Sequence, residues 1–350
     1  MSQDPFDTLS TEQRENVRLA LAAAFGSAPI GAITPVTGGA TTASTFRVDT
    51  GGRRYLLRVE GEPSPLRNPH QYVSMRIATE AGIAPEIHYI DEVARIAVID
   101  FIEQQPLKTF PGGPRALGQA LGELFSRVQA TPVFPDFVNY PDIVARLFAH
   151  VRRTGLFAAG LLDAHVERLE LLREAYDAGS TRLVSSHNDP VPSNILFDGE
   201  RLWLIDWESA YRNDPLVDVA IALDSLAPSP ELETVLLRAW FGRAPDDALR
   251  ARLEPIRALT RLYYAGVLLS ASAAASWVTG ATDLSAPTPQ QFQQSVREGR
   301  LKPGAPETRH ILGKMFLAAF YLGVAPPLDS TTPFNKGDTV VGWLICLWLA

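Results

Sequence analysis

The chain has 350 residues, with 39 acidic and 32 basic side chains, a net charge of -7, 46% hydrophobic residues and 20% charged residues. This composition is ordinary for a globular protein with room for a large core, and it excludes a disordered chain. The acidic balance offers no electrostatic footprint for nucleic acid or an anionic membrane, and the one cysteine, Cys346, excludes an intrachain disulfide and a cysteine-built zinc site.

The first residues, MSQDPFDTLSTEQRENV, are polar and lack an apolar targeting core, which leads us to expect a cytoplasmic protein. Ser10 followed by Gln13 is a capping-box pair and Gly26 is a stop signal. Together they predict a helix packed through Val17, Leu19, Leu21 and Phe25. Residues 33–36, 44–49 and 55–59 then read as successive antiparallel strands, punctuated by Gly38-Gly39 and Gly51-Gly52. A helix follows over 69–81, ended by Gly82 and Pro85, and two strand-like runs cover 86–89 and 96–101.

After Phe101 the pattern turns helical, with 3.6-residue apolar spacing over 114–130, 140–150, 161–178 and 232–240. Short strands are expected over 183–185, 195–197 and 202–205. The uncharged stretch 262–282 reads as a buried helix, being only moderately hydrophobic, and the apolar run 340–350 is too short to span a bilayer. The sequence thus predicts an α+β protein of two lobes. Residues 1–102 form a small antiparallel β lobe with an N-terminal helix, residues 103–330 a larger helical lobe, and residues 331–350 a tail of unassigned role.

Between the two halves of the helical pattern lies HNDPVPSNILFDGERLWLIDWESAYRNDPLVD. Here His187, Asp189 and Asn194 form H-x-D-x-x-x-x-N, and Asp206 follows at the end of an apolar run. Phosphoryl transfer from a nucleotide requires a carboxylate to take a hydroxyl proton, plus an amide oxygen and a second carboxylate to hold magnesium. All three groups stand here in that order. No G-x-x-x-x-G-K-[ST] motif is present, which excludes a P-loop enzyme. D-F-G is also missing, and the short interval from Asp206 to Asp218 leaves no room for an activation loop.

The run His187-Asn188-Asp189 to Asn194, then Ile205-Asp206-Trp207-Glu208, then Asn213-Asp214-Pro215 to Asp218, resembles the aminoglycoside phosphotransferase and choline kinase superfamily of small-molecule kinases. The resemblance spans roughly residues 33–227. It implies a protein-kinase-like fold that uses ATP and Mg2+, with Asp189 as catalytic base and Asn194 and Asp206 as magnesium ligands. His187 is expected to brace the loop, and Asp218 to anchor it by accepting backbone N–H groups at a helix start. Glu208 is open between a substrate or second-metal contact and a bracing role.

In the first lobe, Gly38, Gly39, Thr41 and Thr42 are expected to cover the nucleotide phosphates. Arg58 stands on the strand where the resemblance implies a lysine, and its alternation with Leu57 and Val59 turns it to the opposite face. Arginine can hold phosphate through two N–H groups. The helix glutamate that normally partners the lysine is missing, since only Gln71, Met75 and the late Glu80 are available. Gln71 is therefore expected to hydrogen-bond Arg58. Asp100 and Ile102 fall where the hinge would meet the adenine edge.

For the acceptor, the second lobe offers the aromatics Trp207, Trp240, Tyr263, Tyr264 and Trp277. Most read as core, with Trp207 the favoured site wall. The phrase LWLIDWE followed by NDP resembles bacterial choline or ethanolamine kinase-like proteins, implying an amino alcohol acceptor. A wide acidic cleft would instead point to an antibiotic acceptor. The loss of the lysine and the helix glutamate raises a third reading, a non-catalytic nucleotide-binding module.

Overall fold

The computed structural model describes residues 5–36, 43–61, 68–176, 182–276 and 278–321. Gly38, Gly39, Thr41 and Thr42, together with Trp277 and the tail 331–350, lie outside the described residues. Among the described residues, no helix is long and apolar enough to cross a membrane.

The first lobe rests on helix α1 (Thr11–Phe25), whose start is the expected capping box. The Gln13 amide N–H donates to Ser10 Oγ, and the Gln13 side chain accepts from the Ser10 N–H. The helix buries Val17, Ala20 and Leu21, whereas Leu19 is 59% exposed, contrary to the expected packing face. Two residues beyond Val17 is a rotation of about 200° on an α-helix, which turns Leu19 to solvent.

Five strands form one antiparallel sheet: β1 (Ile30–Pro35), β2 (Ser44–Thr50), β3 (Arg53–Val59), β4 (Ile87–Asp91) and β5 (Ile96–Asp100), in the order β1-β2-β3-β5-β4. Gly51 and Gly52 both take positive φ, 58° and 75°, the conformation that a two-residue hairpin turn between β2 and β3 requires. Tyr55, Leu57 and Val59 alternate onto the face covered by α1, joining Phe46, Val48 and Val98 in a small core. The period-2 pleat therefore turns Leu56 and Arg58 toward the cleft. Helix α2 (Gln71–Glu80) borders that cleft.

The second lobe contains α3 (Gly113–Gln129), α4 (Tyr140–Arg153), α5 (Asp163–Ala175), α6 (Pro215–Leu226), α7 (Pro230–Phe241), α8 (Asp247–Ala274), α9 (Pro289–Arg297) and α10 (Pro306–Tyr321). Two short antiparallel ribbons, β6 (Val184–Ser186) with β9 (Tyr211–Asn213) and β7 (Ile195–Phe197) with β8 (Leu202–Leu204), carry the motif residues on their turns. The main core lies among these helices and reaches across to Ala78, Ile83 and Ala84 at the end of α2. Helix α8 begins well before the uncharged stretch that marks it in the sequence. Asp246 caps its first turn by accepting from the Leu249 N–H, and Arg261, facing inward, is neutralised by Asp224 at 2.9 Å. The small antiparallel β lobe followed by a helical lobe is a protein-kinase-like architecture.

Candidate active site

The loop after β6 is held from beneath by α6. Asp218, buried in the first turn of α6, accepts from the backbone N–H of His187 at 2.8 Å and of Asn188 at 2.7 Å. The imidazole of His187 is also fully buried, and burial lowers it to about 4, so the ring is neutral at physiological pH. Its Nε2 donates to the Ile205 carbonyl at 2.9 Å and ties the loop to the chain just before Asp206.

Asn188 and Asp206 both take left-handed backbone, at φ 61° and 66°. Asn and Asp enter this region more readily than other non-glycine residues because their short polar side chains bond locally. The Asn188 amide donates to the Ser209 and Tyr211 carbonyls and accepts from Asn213, so the turn is fixed on three sides.

Asp189 is half-buried, and both its carboxylate oxygens are engaged. The Tyr264 hydroxyl donates to Oδ1 at 2.6 Å, and the Asn194 amide donates to Oδ2 at 2.9 Å. Burial pushes the carboxyl up to about 6; the Tyr264 and Asn194 hydrogen bonds oppose this, while the charge of Asp206 adds to it. Tyr264 comes from α8 and was expected to be core. Its ring is buried against Phe316, but its hydroxyl reaches the Asp189 carboxylate, a contact that no local sequence signal announces. Tyr263 next to it packs against Tyr140, with ring centroids 5.7 Å apart.

Arg58 enters from the roof of the cleft. Its Nη1 lies 3.0 Å from Asp206 Oδ1, its Nη2 3.1 Å from Glu208 Oε2, and its Nε 3.4 Å from Glu60 Oε1. Burial alone would lower the guanidinium, but the charges of Asp206 and Glu208 outweigh it and hold the group above its ordinary value. The expected partnership with Gln71 takes a different form. The Gln71 amide donates to Glu60 Oε1 at 2.8 Å, so Gln71 meets Arg58 through Glu60.

These groups line a cavity of about 800 Å³ between the lobes. Its apolar wall includes Leu56, Ala97, Ile99, Leu107, Leu196 and Ile205, and its polar end holds Arg58, Glu60, Asn194 and Asp206. Asp100 and Ile102 line it at the connection between lobes, and the Asp100 carboxylate bonds His88 at 2.8 Å. Trp207 borders the cavity but is 4% exposed, its ring packed edge-on against His187 and Phe134. It contributes little open wall. Trp240 stacks on Phe125 in the core.

Residues 32–256 match APH, the phosphotransferase enzyme family. The chain belongs to this family. A curated relative, protein LicA of Haemophilus influenzae, is 22% identical over 208 residues, covering 58% of this chain and 61% of its own length. The chain therefore spans less than two thirds of that relative.

Among solved structures, a choline/ethanolamine kinase family protein from Mesorhizobium loti is 21% identical, with a TM-score of 0.58 over 97% of this chain and 100% of its own. Choline kinase LicA from Streptococcus pneumoniae is 13% identical, with a TM-score of 0.62 over 88% and 100%. A LicA structure in complex with AMP superposes at 0.62, with 14% identity over 89% and 99%. At these identities the likeness concerns the fold.

The polar end of the cavity suits a hard cation. The Asn194 amide nitrogen is committed to the side chain and backbone carbonyl of Asp189, at 2.9 and 3.0 Å, which leaves Oδ1 as the donor end. Asp206 adds a carboxylate on the same cavity wall. Oxygen donors of this kind match magnesium.

Proposed function

We propose that this phosphotransferase transfers the γ-phosphoryl group of ATP, with Mg2+, to a hydroxyl of a small amino alcohol such as choline or ethanolamine. One observation carries the reading: Asp189, hydrogen-bonded to Asn194, lies beside a cavity whose polar end joins Asn194 and Asp206 to Arg58. Asp189 orients the acceptor hydroxyl and takes its proton as the new oxygen–phosphorus bond forms, while the bond from the γ-phosphorus to the bridging oxygen breaks and ADP leaves with that electron pair. Asn194 and Asp206 would hold the magnesium, which would neutralise charge on the transferred group. Arg58 exchanges its ties to Asp206 and Glu208 for phosphate oxygens, through the forked donors that suit them. The apolar walls around Ala97 and Ile99 receive the adenine ring.

Tyr264 and the Tyr140–Tyr263 pair support the amino alcohol over a large polycationic acceptor. Tyr264 donates directly to Asp189, and the half-buried Tyr263 beside it, with ring centroids 5.7 Å apart, offers the aromatic face suited to one compact cation. Retention of the base and both metal-ligand positions weighs against a non-catalytic nucleotide-binding role.

The test is a turnover assay with ATP and magnesium across amino alcohols, sugars and aminoglycosides. Phosphorylation of an amino alcohol is expected, with Asp189→Ala abolishing turnover and leaving nucleotide affinity within about twofold. Nucleotide binding without transfer to any acceptor would sink the proposal.

A further inference from the structure

We infer that Glu60, held in place by Gln71, is the positioning residue for Arg58, doing from the strand what a helix glutamate would otherwise do. This rests on the proposal that Arg58 binds the nucleotide phosphates.

Glu60 directly follows β3 and shares the cleft-facing side of the pleat with Arg58, two residues before it. It is 6% exposed and Gln71 is 5% exposed. A buried carboxylate is costly unless charges and hydrogen-bond donors meet it. Here Arg58 Nε stands 3.4 Å away and the Gln71 amide donates at 2.8 Å.

The two residue identities explain each other. With Glu60 already in the site, a glutamate at position 71 would set two carboxylates where the 2.8 Å amide–carboxylate bond now lies, and like charges at that distance cannot both ionise in a buried site. A neutral amide that donates is what the position requires. The sequence departs from the helix-glutamate pattern because the carboxylate has moved to the strand.

The choice of atom matters as well. Glu60 faces Nε as an ion pair at 3.4 Å without hydrogen-bond geometry, while Nη1 and Nη2 point to Asp206 and Glu208. A clamp at Nε fixes the guanidinium plane and leaves the two forked nitrogens for a phosphate, which arginine binds through paired donors. A lysine has no such third donor edge to hold.

The experiment uses the full chain and measures ADP affinity by calorimetry, with steady-state kinetics beside it. Glu60→Gln removes the charge of one buried ion pair and is expected to weaken ADP binding and raise the KM for ATP by about tenfold, with the acceptor KM within about twofold. Gln71→Glu should weaken ADP binding similarly, through like-charge repulsion. The double variant E60Q/Q71E moves the carboxylate to the helix with the same atoms present. It should recover ADP affinity to within about threefold of wild type, a coupling that independent structural damage would not produce.

Wild-type ADP affinity in Glu60→Gln, or losses that simply add in the double variant, would overturn the inference. Arg58→Ala separates the two levels. If it leaves ADP affinity unchanged, the phosphate-binding reading fails and the inference with it. If it weakens ADP binding at least about tenfold while Glu60→Gln does not, only the role of Glu60 fails.

Discussion

The Tyr264 hydroxyl donates to Oδ1 of Asp189 at 2.6 Å, joining α8 to the loop after β6 across 75 residues of sequence. Burial keeps the phenol well above its usual pKa, so it stays a donor. The bond fixes one carboxylate oxygen while Asn194 fixes the other. Tyr264→Phe removes a hydroxyl and leaves the ring contacts with Phe316 intact. We expect kcat to fall about tenfold, since a loosened base loses orientation, with the KM for ATP unchanged. Steady-state kinetics that show a rise in the KM for ATP alone would contradict this role.

Asp218 accepts from two backbone N–H groups of the turn that carries Asp189. Asp218→Asn keeps one acceptor oxygen and offers an amide nitrogen where the second acceptor stood. One buried N–H is left unsatisfied, which costs about 2 kcal/mol. Denaturant titration should report that loss, and turnover should fall with it because the same turn carries Asp189.

His187 makes stability fall in acid. Its folded pKa is depressed to about 4 by burial, while the unfolded ring titrates near 6.5. Its stabilising contribution is therefore complete above about 6.5 and lost as pH falls through about 4, to a limit of about 3 kcal/mol. His187→Gln retains a donor for the Ile205 carbonyl but does not titrate. Comparison of the two proteins by denaturation at several pH values should show wild type losing more stability between pH 6.5 and 4. Parallel curves would refute the assignment.

Two glycines on α3 should respond in opposite directions to alanine. At Gly122 an added Cβ would sit 2.5 Å from the Leu236 carbonyl oxygen and 3.0 Å from the Trp240 backbone nitrogen, both on α7. Alanine brings about 1 kcal/mol of helix propensity, but backbone atoms cannot step aside as a side chain does. Overpacking of about 2 to 3 kcal/mol outweighs it, so Gly122→Ala is expected to lower Tm. At Gly118 the nearest atom is Val235 Cγ1 at 3.6 Å, an ordinary contact, and the propensity gain should raise Tm. Calorimetry of both variants decides the matter.

Much of the fold is legible from local pattern. The Ser10–Gln13 capping box, the Gly51-Gly52 hairpin and the alternation through β3 depend on neighbours in sequence, and each appears where local chemistry puts it. Leu19 misled because an apolar residue marks a helix without fixing which face it occupies. The full extent of α8 was hidden because its first turns are charged and its inward Arg261 depends on Asp224 from α6. Trp207 read as a site wall from its place beside Asp206, but its ring turns into the core toward His187.

The spacing of His187, Asp189, Asn194, Asp206 and Asp218 was enough to mark out the family and a candidate site, because phosphoryl transfer demands particular side chains a short distance apart on one loop and the adjoining strand. The companions of those residues were decided by the folded chain. Tyr264 reaches Asp189 only because α8 packs behind the loop, and Glu60 stands between Arg58 and Gln71 only because the start of α2 meets the end of β3. Short-range spacing is set by covalent geometry, whereas contacts across many residues exist only once packing has brought distant surfaces together.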